Sequence, residues 1–290
     1  MKGRSRMPDT IGILVNRTKK NADAVTYRLV DTIKRCGGQV YIDDQTAHDL
    51  NMPEFGLPLE QFPERVDLLF VLGGDGTLLG AARQFACYDL PMLGINIGHL
   101  GFLSEAEPEN LEATVSRALH GDFYLERRMM LETEVWRQDE QIHHSIGLND
   151  AGVGKGSFAR MIQVQIDVNG DMYDDFLGDG VIVSTPTGST AYSLSCGGPI
   201  MQPHMQVLLI TPICAHKLVA RPCIISSEQE IRIKVLARHQ DMGLTVDGQV
   251  GFPLQSGDFV YVRKSKCDTV LIRWQERPFF SILRNKLRGD

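Results

Sequence analysis

Residues 73–77 read Gly73-Gly74-Asp75-Gly76-Thr77, between the apolar run 66–72 and a stretch of helical spacing. Glycines at the carboxyl end of a buried strand let backbone N–H groups approach phosphate oxygens, and a helix N-terminus favours negative charge. Gly74, Gly76 and Thr77 are therefore candidate nucleotide contacts. A carboxylate repels phosphate, so Asp75 is out of place in a plain phosphate cradle. It suits a group that takes a proton from a substrate hydroxyl or holds Mg²⁺. The structural alternative is an Asp-Gly turn with a cap from Asp75 or Thr77.

A second segment follows Asp179-Gly180 and a strand over 181–184. It places Thr185, Thr187, Ser189, Thr190, Ala191, Tyr192, Ser193 and Ser195 around Pro186 and Gly188. The hydroxyls could bond a polyhydroxyl or phosphate ligand, and the Tyr192 ring could stack on a base. A Ser/Thr-rich loop capping the next helix is the structural alternative. Asn149-Asp150 could bond ribose hydroxyls, although Asx turns are commoner, and His216 near Arg221 could meet a phosphate. Gly152-x-Gly154-Lys155-Gly156 lacks the Walker spacing and the Ser/Thr after Lys. Dinucleotide-fold, zincin and hydrolase motifs are absent from the sequence.

The elements around these segments come in two styles. Up to about residue 122, strand and helix signals alternate. Apolar runs occupy 11–15, 66–72 and 91–95, a strand is read at 39–43, and Val25, Leu29 and Ile33 share one helix face before Gly37-Gly38. Leu111, Val115 and Leu119 mark a further helix, ended by Gly121. This pattern predicts an α/β N-terminal domain with a parallel sheet. From Phe123 the period becomes two: Leu131, Thr133 and Val135; Ile162, Val164, Ile166 and Val168; Ile231, Ile233 and Val235. Asn169-Gly170 and Asp247-Gly248 are hairpin signals. A mostly antiparallel β C-terminal domain is predicted over 123–274, closely packed on the first with a ligand cleft between them, and a short helix over 279–287. Composition agrees: 290 residues, 43% hydrophobic and 23% charged, make an ordinary globular chain of one or two domains. The formal charge of −6 and the lack of a basic stripe argue against nucleic acid. No apolar run reaches the roughly 18 residues of a membrane span, and the basic start lacks a signal-peptide core. Six scattered cysteines are read as buried reduced thiols, and the chain as cytoplasmic.

In order, VLGGDGT at 71–77, GINIGHLGFL at 94–103, residues 148–150, DGVIVSTPTGSTAYSLSCGGP at 179–199, residues 211–222 and residues 247–249 resemble the NAD kinase family. GGDGT alone is shared with diacylglycerol and sphingosine kinases; the long hydroxyl-rich segment is far more specific. The resemblance implies transfer of a phosphoryl group from ATP to the adenosine-ribose 2′-hydroxyl of NAD. It implies Asp75 as general base, with Gly76 beside it at the dinucleotide. Asn149, Asp150, Arg160, Asp179, Thr190, Ala191, Tyr192, Ser193, Ser195 and Gln249 become ligand contacts, and His216 joins them. It further implies Mg²⁺ with unassigned ligands, a homodimer or homotetramer, and a segment over 275–290 returning to the first domain. Three positions depart from the family pattern: Asp150 where Glu is frequent, Leu177 where a basic residue is common, and Ala215 where Pro is usual before His216. The rival readings are a lipid kinase sharing GGDGT and a non-catalytic NAD-sensing module.

Overall fold

In the computed structural model, which describes residues 7–98, 101–156, 160–276 and 278–288, the apolar runs form strands. The basic start at 1–6 and His99-Leu100 of the GINIGHLGFL motif lie outside the described residues. The chain divides into two units, Met1–Arg127 with Thr269–Asp290, and Arg128–Asp268.

The first unit is built on β1 (Thr10–Val15), β2 (Gln39–Asp43), β3 (Gly56–Leu57), β4 (Leu68–Gly73) and β5 (Met92–Asn96), all parallel, in the order β5-β4-β1-β2-β3. Its helices are α1 (Ala22–Arg35), α2 (Asp44–Asp49), α3 (Phe62–Arg65), α4 (Asp75–Phe85) and α5 (Leu111–Leu119). Val25, Leu29 and Ile33 bury the inner face of α1 against Ile11, Ile13, Leu68, Phe70 and Leu72. Gly37, at φ +83°, takes the left-handed turn that ends this helix, and the Gly38 N–H donates to the Ile33 carbonyl. Ile272 and Trp274 of the C-terminal segment complete the core. The short elements between residues 44 and 65 carry too few residues to show a period, and the sequence pattern leaves them unassigned.

The second unit contains most of β6 (Tyr124–Arg137), then β7 (Glu140–Gly147), β8 (Asp150–Lys155), β9 (Ile162–Val168), β10 (Asp171–Gly178) and β11 (Gly180–Ser184). There follow α6 (Tyr192–Ser195), β12 (Val207–Ile213), β13 (Cys223–Ser226), β14 (Ile231–Leu236), β15 (Met242–Val246), β16 (Val250–Pro253) and β17 (Phe259–Arg273). The last residues of β17 and helix α7 (Phe279–Arg288) belong to the first unit. One antiparallel sheet runs β10-β9-β14-β17, with β6 paired to β17 and β7 to β6; the other runs β13-β12-β11-β8-β15-β16. Alternate residues of both sheets, among them Val164, Ile166, Ile233, Val181, Val183 and Leu244, share one core. Asn169-Gly170 and Asp247-Gly248 turn the chain with φ at +51°, +88°, +53° and +62°, as hairpin turns of this kind require.

The cysteines depart from expectation. Cys87 and Cys267 are disulfide-bonded, Cys36 and Cys214 are exposed thiols, and Cys196 and Cys223 are half-buried. A scatter of cysteines along the sequence says nothing about which of them are oxidised. The helix that follows the hydroxyl-rich loop is a single turn, ended by Gly197 at φ +85°.

Candidate functional site

The first unit holds Asp75 at the carboxyl end of β4, as the first residue of α4. Gly74 is extended and leads into the helix; its N–H donates to Thr77 Oγ1 (3.4 Å), as does Asn16 Nδ2 (3.2 Å). Thr77 thus closes the first turn, while Gly76 is exposed. The Asp75 carboxylate accepts the N–H groups of Phe102 (2.7 Å), Leu103 (3.3 Å to each oxygen) and Ser104 (3.2 Å), together with the Ser104 hydroxyl (2.9 Å). Gly101 permits this arrangement: a Cβ there would lie 2.0 Å from Asp75 Oδ1. The result is a half-buried carboxylate with fixed oxygens at the end of a parallel strand, where α/β sheets present ligand groups.

In the second unit Asn149 and Asp150 stand at the entry to β8, pinned by Asp247, a residue the sequence places in a hairpin turn and a family segment without naming it as a contact. The Asp247 carboxylate accepts the N–H groups of Leu148 (3.1 Å), Asn149 (2.7 Å) and Asp150 (3.2 Å), and the Asp247 N–H returns to the Asp150 carbonyl (2.9 Å). The Asp-Gly hairpin was the signal available, and it pointed to backbone geometry rather than to this contact. Burial, and secondarily the negative charge of Asp247, push the Asp150 carboxyl up from 3.8 to about 7. A folded pKa raised above the unfolded one contributes stability below pH 3.8 that is lost as pH rises through about 7. Asp150→Asn removes that loss. Its melting temperature, compared with wild type, should rise from pH 4 to pH 8, by up to about 4 kcal/mol in stability terms. Parallel melting curves for the two proteins across that range would show that Asp150 does not titrate this way.

The hydroxyl-rich segment packs on the same turn. Thr185 Oγ1 donates to the Leu148 carbonyl (2.6 Å) and the Thr185 N–H to Asn149 (2.9 Å). Gly188 lies so close that a Cβ there would sit 2.0 Å from the Asn149 carbonyl oxygen. Ser189 Oγ donates to the Pro186 carbonyl (2.7 Å) and accepts the Met201 N–H (3.0 Å). Arg128 Nη1 donates to Thr187 Oγ1 (3.2 Å), and the Ser193 and Thr211 hydroxyls share a bond of 2.8 Å. The buried hydroxyls of Thr185, Thr187, Ser189 and Ser193 therefore build the loop itself. Thr190 and Ala191 are half-buried, while Tyr192 and Ser195 are exposed.

Tyr192 and Asp179 line one cavity of about 580 Å³ in the second unit, with Lys155, Gly156, Asp241 and Phe252 among its other walls. Four glycines, Gly152, Gly154, Gly243 and Gly251, are among its lining residues. Lys155 Nζ stands 3.6 Å from Asp179 Oδ1, and burial followed by Cys196 raises the Tyr192 phenol. Lys155 is the residue that motif reasoning passed over once the P-loop spacing failed. His216 is exposed, and its N–H donates to the Leu177 carbonyl (2.7 Å). Arg160 and Gln249 are exposed as well; the Arg160 carbonyl lies 2.8 Å from His239 Nε2. None of Asn149, Asp150, Arg160, His216 or Gln249 lines the cavity. Among the described residues there is no group of three or more His, Cys, Asp or Glu that could hold a metal ion. No helix among them is long and apolar enough to cross a membrane.

The two halves of the chain match two family models. Residues 11–123 match the ATP-NAD kinase N-terminal domain and residues 148–274 the ATP-NAD kinase C-terminal domain. The chain is 39% identical over 280 residues to an NAD kinase of Desulforamulus reducens, covering 97% of each protein. It is 42% identical over 277 residues to one of Syntrophotalea carbinolica, covering 96% of this chain and 97% of that protein. Among solved structures, yeast NADH kinase complexed with NADH is similar at a TM-score of 0.86 and 26% identity, over 98% of this chain and 89% of that one. An NAD kinase from Archaeoglobus fulgidus in complex with ATP is similar at 0.75 and 25%, over 97% and 98%. With both domain models matched in order and the GGDGT carboxylate at the end of its strand, this chain belongs to the ATP-NAD kinase family.

Proposed function

We infer that this protein transfers the terminal phosphoryl group of ATP to the adenosine-ribose 2′-hydroxyl of NAD, giving NADP and ADP. The observation that carries the reading is Asp75, a carboxylate with fixed oxygens at the N-terminus of α4, in a chain matched by both kinase domain models. The 2′-oxygen attacks the γ-phosphorus as the bond to the β–γ bridging oxygen breaks, and the hydroxyl proton passes to Asp75. Phosphoryl transfer asks little covalent work of a protein, so positioning and charge neutralisation dominate. Mg²⁺ belongs to this scheme as part of the MgATP substrate, because such a metal needs only one or two protein ligands beside phosphate oxygens.

The second unit supplies the dinucleotide contacts in this reading. Tyr192 offers an exposed ring at the cavity that the four glycines also line. Asn149 and Asp150 are the proposed ribose contacts, and an Asp150 carboxyl pushed up to about 7 can donate or accept a hydrogen bond there. Asp179, Thr190, Ala191, Ser195, Arg160, His216 and Gln249 complete the proposed contacts. Ser193, whose hydroxyl is bonded to Thr211, serves through its backbone or by shaping the loop.

Incubation with ATP, Mg²⁺ and NAD, read with an NADP-specific dehydrogenase, should give NADP, while diacylglycerol in place of NAD should remain unphosphorylated. Lipid phosphorylation without NADP would overturn the assignment, and tight NAD binding without any NADP would make the protein a sensor.

A further inference from the structure

We propose that Arg273, at the end of β17, is a positioning residue for Asp75, acting through the two peptide groups that link Phe102, Leu103 and Ser104. The proposal rests on the reading of Asp75 as general base. All the groups involved belong to the first unit. The Arg273 guanidinium is buried, 3% exposed, and reaches the Phe102 carbonyl through Nη2 (3.2 Å) and the Leu103 carbonyl through Nη1 (3.2 Å). Each of those carbonyls belongs to a peptide group whose N–H, on Leu103 and on Ser104, donates to the Asp75 carboxylate (3.3 and 3.2 Å). Two peptide dipoles thus lie between a cation at their oxygen ends and a carboxylate at their N–H ends. Both charges favour the same orientation, and bonds in such a chain polarise one another.

The guanidinium is itself held from the far side. Glu105 Oε2 accepts Nη1 at 2.7 Å, Glu126 Oε2 accepts Nε at 2.9 Å, and Glu105 Oε1 takes the Trp274 N–H at 3.0 Å. A planar fork is needed to meet two carbonyls and two carboxylates at once; a lysine offers one compact ammonium and cannot span them. A buried ion-pair cluster of this kind is weak evidence for stability alone, because desolvation offsets much of the attraction. Its placement, one peptide away from the reacting carboxylate, gives it a function in catalysis: it sets where the Asp75 oxygens point.

The test is a double-mutant cycle with steady-state kinetics and melting curves on Arg273→Lys, Asp75→Asn and the pair. Misplacing a reacting group by about 1 Å can cost on the order of 100-fold in rate, so Arg273→Lys should lower kcat at least about tenfold, with KM for ATP and NAD held within about twofold. On the Asp75→Asn background the same change should cost less than about twofold, because the base it positions is gone. Equal fold-losses in both backgrounds, or an unchanged kcat in a folded Arg273→Lys protein, would overturn the proposal. Should Arg273→Lys fail to fold, Glu126→Gln removes one carboxylate from the guanidinium without touching Asp75 or its donors. It should lower kcat in the same direction, with KM held and the loss gone when Asn stands at position 75; no loss with Asp75 present would overturn the proposal. A near-normal kcat for Asp75→Asn alone would instead sink the general-base reading on which the proposal stands.

Discussion

Asp75→Asn should lower kcat by about 10²–10⁴-fold, the range typical of losing a general base, with little rise in KM for ATP or NAD. The amide keeps the size of the side chain but cannot take the 2′-hydroxyl proton. The change also removes a negative charge beside the phosphates, so substrate affinity should hold or improve. The structure adds a stability effect to this prediction. The carboxylate oxygens accept N–H groups from Phe102, Leu103 and Ser104 on both sides, and an Asn must turn its own NH₂ toward one of these donors. Losing such a bond at a half-buried site costs about 1–2 kcal/mol, which appears as a melting temperature a few degrees lower. Both readouts are therefore needed. A residue serving only the loop would lower the melting temperature and leave kcat within about tenfold of wild type, and that outcome would exclude Asp75 as the base.

Excess EDTA should abolish NADP formation, and Mg²⁺ added beyond the chelator should restore it. An unneutralised triphosphate repels the incoming oxygen and resists the charge that builds on the leaving group, and a divalent ion relieves both. The melting temperature should not move on chelation if the metal enters only with ATP, and among the described residues no group of three or more His, Cys, Asp or Glu could hold a metal ion. Full turnover with ATP in metal-free buffer would contradict the mechanism. A melting temperature that falls with EDTA would reveal a structural metal, because such a metal binds the folded state alone.

Much of the architecture is legible in local pattern. The four-residue spacing of Val25, Leu29 and Ile33 is what a helix needs to bury one face, and these residues are buried in α1. Strict alternation from Ile162 to Val168 and from Ile231 to Val235 gives strands whose apolar sides meet in register, Ile166 opposite Ile233 and Val164 opposite Val235. Hairpins at Asn169-Gly170 and Asp247-Gly248 follow from residue types that tolerate positive φ. The elements of residues 44–65 were too short for any period to emerge, and the pairing state of Cys87 and Cys267 has no local signature at all.

The same division runs through the site. By itself, the sequence determined that a carboxylate stands among glycines where a buried strand meets a helix, and that a polar loop with Tyr192 follows a strand in the β half. These depend on spacing and on backbone preferences within a few residues. Only the tertiary structure decided what each group is bonded to. The Ser104 hydroxyl reaches Asp75 across 29 residues of chain, Asp247 reaches Asn149 across 98, and Arg273 reaches Phe102 across 171. The loop hydroxyls, which as sequence looked like a row of ligand contacts, divided into buried ones bonded within the fold and exposed ones. A side chain's capacity to bond is a property of its type. Whether that capacity is free for a ligand depends on which donors and acceptors strand pairing brings within about 3 Å, and no short-range pattern encodes that distance.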